Sequence, residues 1–99
     1  MEVIRSLSDS ELLGAIKQAN GLDAAIRSVY RDHFENMARI VKNNSGNQQD
    51  AEDIFQEVVV SFIELVQNNK FRGESSVKTF LFSMTRHTWL NELKKRGRS

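Results

Sequence analysis

From Leu22 to about Asn43 the apolar positions fall at Leu22, Ile26, Val29, Tyr30, Met37, Ile40 and Val41, close to the 3.6-residue period of a helix. A second stripe, Ala51, Ile54, Phe55, Val58, Phe62, Leu65 and Val66, predicts a helix from about Gln48 to Val66. Its opposite face carries Asp53, Gln56, Glu57 and Glu64, with Val60 set among them. A further helix is predicted over about 76–95, where two stripes overlap. Val77, Phe80, Leu81 and Met84 form one line and Phe82, Arg86, Trp89 and Leu93 a second; one stripe suits a core, so one of the two is expected to be partly exposed. Ahead of these, Ser8 followed by Glu11 is a capping-box pattern, and Asn20 with Gly21 is a stop, predicting a short first helix over 8–20.

Breaks between these segments are few. The chain has no proline and only five glycines, so little forces it out of helix. The polar stretch NNSGNQQ offers Asn47 as an N-cap, and QNNKFRGES leads to a cap at Ser75 or Ser76. The expected fold class is therefore all-α, a compact bundle of about four helices in a single domain spanning 1–99, since 99 residues support one core.

Charge changes this picture more than composition does. The net charge is only +1, but residues 1–69 hold six Lys/Arg against eleven Asp/Glu, and residues 70–99 hold eight against two. An acidic body with a basic end implies two partners of opposite sign. The segment from Gln48 to Asn69 carries five carboxylates and no cation, so its acidic face lacks intrahelical pairs. Asp53, Gln56 and Glu57 around Val60 could dock on a cationic helical surface, or could simply be a solvated face.

The stretch KFRGESSVKTFLF supplies residue types suited to single-stranded nucleic acid: Lys70, Phe71, Arg72, Lys78, Ser75 and Ser76, with Gly73 allowing close backbone approach. The structural reading of the same residues is a helix cap, a turn and a core aromatic. The terminal KKRGR adds phosphate-binding capacity, or merely complements a helix dipole. His33 and His87 are far apart and no carboxylate stands at ligand spacing, so no metal, no cofactor and no catalysis are expected. With no cysteine, no signal peptide and no spanning segment, the expected location is the cytoplasm.

Taken in order, DAEDIFQEVVVSFIEL and KFRGESSVKTFLFSMTRHTWLNELKKR resemble region 2 of bacterial RNA polymerase sigma factors of the extracytoplasmic-function group, over roughly Ser8 to Arg98. The resemblance implies a noncatalytic helical module that binds the clamp helices of the polymerase's largest subunit and opens the minus-ten promoter element. Its D-x-x-Q-E core-binding pattern falls on Asp53, Gln56 and Glu57, with Val60 as the apolar part. Its base-capture loop for the non-template strand falls on Phe71, Arg72, Gly73, Glu74, Ser75 and Ser76. By the same resemblance Lys78, Arg86 and His87 face DNA, and Lys94, Lys95 and Arg96 contact phosphates. His87 stands where asparagine is usual, and Trp89 where a small or aliphatic residue is common. The second domain of such factors, which reads the minus-thirty-five element, is expected to be absent from this chain. An anti-sigma factor could use the same surfaces, and the alternative reading is a helical interaction module that binds such a regulator with no nucleic-acid role.

Overall fold

The computed structural model describes residues 6–71 and 73–97, and among them the only regular elements are four helices. These are α1 (Asp9–Lys17), α2 (Leu22–Lys42), α3 (Gln48–Gln67) and α4 (Val77–Lys95). α2, α3 and α4 pack against one another, and α1 lies on α2 and α3. The molecule is 21 Å across its shortest axis, about two helix diameters, so each helix keeps one face near solvent.

Local chemistry sets the helix ends. Ser8 accepts from the Glu11 amide at 3.1 Å, and Glu11 accepts from the Ser8 amide at 2.9 Å, which closes the capping box on α1. α1 stops at Lys17, three residues before the expected stop at Asn20. Gln18 is extended, and the turn closes on Gly21, whose backbone lies so near α1 that a Cβ there would be 2.6 Å from the Ala15 carbonyl oxygen. Asn47 caps α3, its Oδ1 accepting from the Asp50 amide at 2.8 Å while its own amide donates to Asp50 Oδ2 at 3.0 Å. α3 ends in a Schellman turn with Asn69 at φ 57°, the Lys70 amide donating to Leu65 O at 2.8 Å and the Asn69 amide to Val66 O at 3.1 Å.

The core runs along the inner stripes: Ile16 of α1, Val29, Met37 and Val41 of α2, Val58, Phe62 and Val66 of α3, and Val77, Leu81 and Trp89 of α4 are all essentially closed to solvent. Full burial of a side chain the size of Phe62 contributes about 1.5–3 kcal/mol. One expectation is corrected: Tyr30, read as part of the α2 core stripe, is 54% exposed, and Phe34 one turn later takes the buried place. Both α4 stripes contribute to the core, and Trp89 of the second is 0% exposed. Its indole N–H donates to Asn44 O at 2.8 Å, in the turn between α2 and α3. Gly46 makes room for that ring, since a Cβ there would collide with Val41 and lie 2.9 Å from Trp89 Cζ2.

Candidate functional site

On α3, Asp53, Gln56, Glu57 and Val60 are all exposed, Val60 at 56%. Their spacing puts them on one strip of the helix. Gln49 donates to Asp53 Oδ1 at 2.9 Å, and no ion pair among the described residues neutralises Asp53 or Glu57. Beside this strip a shallow groove of about 430 Å³ is bordered by Ile26, Tyr30 and Phe34 of α2 and by Glu52, Phe55 and Gln56 of α3. Tyr30 is held there by stacking on Phe34 (4.7 Å between centroids, 9°) and by an edge contact with Phe55 (5.4 Å). The acidic strip thus continues into a rigid exposed aromatic. Sequence reading missed it because Tyr30 shares the periodicity of the core.

The second region is the connection from α3 to α4 and the outer face of α4. Lys70, Gly73, Ser75 and Ser76 are exposed, Gly73 at φ +80°, a conformation that favours glycine although a Cβ would meet nothing there. Arg72 lies outside the described residues. Phe71 does not offer its ring to a ligand: it is 8% exposed and packs edge-on against Phe62 (5.5 Å) and Phe80 (5.0 Å). This packing fits the core-aromatic reading of the position, and it makes Phe71 the anchor of the loop. Ser76 is the N-cap of α4, accepting from the Thr79 amide at 3.1 Å, whereas the Ser75 hydroxyl bonds only locally, to Ser76 O at 3.2 Å.

Along α4, Thr79, Phe82, Ser83, Arg86, His87 and Leu90 border a groove of about 460 Å³. Their i, i+3, i+4, i+7, i+8, i+11 spacing is one helix face. Lys78 sits at its upper edge with Nζ 5.7 Å from the centre of the Phe82 ring. Phe82 and Arg86 also border a second groove of about 300 Å³ with Asn36, Arg39, Ile40, Asn43 and Asn44. Phe82, Leu90 and Arg39 were missed as site residues, although the spacing of the first two on α4 was a usable signal.

At the end of α4, Lys94 and Lys95 project into solvent, but Arg96 is committed inside the chain. Its Nη2 lies 3.0 Å from Asp50 Oδ1, its Nε 3.0 Å from Glu92 Oε2, and its guanidinium 5.1 Å over the Trp89 ring. Hydrogen bonding to Asp50, then to Glu92, raises its pKa further. Of the three terminal cations singled out from the sequence, Lys94 and Lys95 carry no ion pair among the described residues, whereas Arg96 would have to share its guanidinium with Asp50 and Glu92.

The sequence family described as Sigma-70 region 2 matches residues 29–99, which include most of α2, all of α3 and α4, and both surfaces. The chain belongs to the Sigma-70 region 2 family. It is 32% identical over 94 residues to the ECF RNA polymerase sigma factor SigE of Mycolicibacterium smegmatis, an alignment that covers 92% of this chain and 35% of that protein. The chain therefore spans about a third of the length of the curated relative it matches. No solved structure matches it.

One titratable group of this Sigma-70 region 2 chain is set by burial next to the α4 face. His33 of α2 meets the Phe82 ring edge-on at 6.3 Å, and its pKa is lowered from the ordinary 6.5, chiefly by burial; Lys78 also lowers it, against the opposing charges of Asp32 and Asp9. The unfolded chain therefore binds the proton more readily than the folded one, so the His33 contribution to stability is complete above pH 6.5 and is lost as pH falls through the folded value. Urea midpoints measured on both sides of that pH should fall on acidification, and His33→Gln should flatten the part of the fall nearest 6.5. An unchanged pH profile in the variant would remove this role. Among the described residues no helix is long and apolar enough to cross a membrane, and no group of three or more His, Asp or Glu could hold a metal ion.

Proposed function

We propose that this chain is the region 2 module of an RNA polymerase sigma factor. In this reading the strip Asp53, Gln56, Glu57 and Val60 docks on the clamp helices of the polymerase's largest subunit. The loop 70–76 and the outer face of α4 capture and hold the non-template strand of the minus-ten element. The module is noncatalytic and works in the cytoplasm, and the enzyme it assists supplies the chemistry.

The observation that carries the reading is the family match over residues 29–99, a span that contains both exposed surfaces. The physical chemistry supports it. An acidic strip with an exposed valine is suited to steering toward a cationic partner and then burying an apolar contact. Extruding a base costs a few kcal/mol, which a capture site must offset with stacking surface and hydrogen-bonding groups. With Phe71 in the core, the stacking surface near the loop is Phe82, flanked by Lys78 and Arg86, and hydrogen-bonding capacity comes from Ser75, His87 and loop backbone. His87 is the side chain we assign to base preference.

Fluorescence anisotropy with a short single-stranded oligonucleotide tests the DNA half of the proposal. Affinity should fall with salt, with a log–log slope of roughly −0.7 for each phosphate neutralised. Lys94→Ala with Lys95→Ala should make that slope shallower by about 1–1.5, whereas Arg96→Ala should leave the slope nearly unchanged and lower the melting temperature. Equal slopes for all three proteins would contradict the assignment of the lysines. No binding by the unmodified chain, with retained binding to a helical protein partner, would favour a regulator-binding module without a nucleic-acid role.

A further inference from the structure

A loop that captures a base must be held at both ends, or the binding energy is spent on ordering it. The entry is held by the Schellman turn at Asn69 and by the buried ring of Phe71. The exit is the first turn of α4, where four amides have no partner within the helix. Ser76 serves one of them, Thr79. Each of the other three helices has an acidic residue in its own first turn, and α4 has none. Its carboxylate comes from another helix: Asp9 Oδ2 accepts from the Val77 amide at 3.0 Å, across 68 residues of sequence.

Asp9 is itself firmly placed. It is the first residue of α1, directly after the Ser8 cap, and α1 is fastened to the core by the buried side chains of Leu12 and Ile16. The positive ends of α1 and α4 therefore meet at one carboxylate. Asp9 also lies close enough to act on His33 through space, as Lys78 does, so it belongs to the charge environment at the top of the α4 face. The family match begins at residue 29, so α1 is outside the span that carries the functional reading.

We infer that Asp9 is a positioning residue for the base-capture loop: by holding the Val77 amide it fixes the exit of the loop and the start of the DNA-facing helix. This rests on the proposed function of loop 70–76. It makes α1 a strut for the DNA site, so that a displacement of α1 loosens the loop without touching DNA.

The test uses the full chain and four short fluorescein-labelled thymidine oligonucleotides, one unmodified and three with a single central adenine, cytosine or guanine. Asp9→Ala should weaken binding of the preferred oligonucleotide roughly tenfold, the scale of one charge-assisted hydrogen bond. Asp9→Asn keeps an acceptor oxygen and should recover most of that loss. Ile16→Val trims one buried methyl group and lowers stability modestly without displacing α1 or its cap, and should bind like the unmodified chain. Hydrogen exchange at the Val77 amide, without DNA, should accelerate in Asp9→Ala and not in Ile16→Val. If the unmodified chain binds and Asp9→Ala binds equally well, the inference is overturned while the capture reading stands. Equal weakening by Asp9→Ala and Ile16→Val would reduce Asp9 to a general stabiliser and overturn it too. If the unmodified chain binds none of the four, the capture reading fails and takes this role with it.

Discussion

Replacing Trp89 by alanine is expected to destabilise the domain by about 3–5 kcal/mol, the range for deleting a fully buried large aromatic. Domains of this size have roughly 5–15 kcal/mol in total, so much of the margin would go. For such a chain each kcal/mol lowers Tm by about 4–8 °C. The reason for so large an effect is position. Trp89 is closed to solvent, its N–H is bonded to Asn44 O, and its ring lies against Gly46 on one side and under the Arg96 guanidinium on another. One side chain thus ties the end of α4 to the turn that leads into α3. Trp89→Phe keeps most of the apolar volume and loses the hydrogen bond, so it should cost less than the alanine variant. Because Trp89 is the only tryptophan, its fluorescence reports the result directly, with emission moving to longer wavelength on unfolding. A Tm within a few degrees of the parent for Trp89→Ala would mean that the ring is not part of the core.

How far such features were legible in the sequence depends on their range. Patterns within one helix were readable: the Ser8 and Glu11 capping box, the Asn47 cap and the acidic strip on α3 are all local, and periodicity places them. α4 was harder, because a helix packed against both α2 and α3 has apolar residues on more than one side, and its two stripes could not be ranked. Hence the full burial of Trp89 could not be read from its stripe. Phe71 posed the same problem at a junction, where no period exists to say whether an aromatic faces the core or a ligand. The pairs that join distant segments left no trace at all: Arg96 with Asp50 is separated by 46 residues and Asp9 with Val77 by 68. Charge and residue type marked the two surfaces; that Phe71 is buried, that Arg96 is paired with Asp50, and that Tyr30 and Phe82 border the adjoining grooves depends on packing between helices.

Combining Gln56→Ala with Glu57→Lys is expected to abolish capture by the polymerase clamp helices, with an affinity loss of at least about thirtyfold, since disrupting a hydrogen-bonded charge pair at an interface costs about 2–5 kcal/mol. Both side chains are exposed, and neither has an ion pair in the described structure, so the fold should be little affected. The lysine adds repulsion to the loss of attraction: it turns a strip that steers a cationic helix into one that opposes it. A surface plasmon resonance titration on an immobilised clamp-helix fragment checks this. The same variant should bind single-stranded DNA as the parent does, because the proposed DNA surface lies on the loop 70–76 and α4 while the changes lie on α3. That pairing separates the explanations. Loss of both activities would point to a damaged fold, and undiminished capture would rule out the α3 strip as the polymerase contact. Loss of capture with DNA binding intact would assign the two surfaces to two partners, in keeping with the opposed charges of residues 1–69 and 70–99.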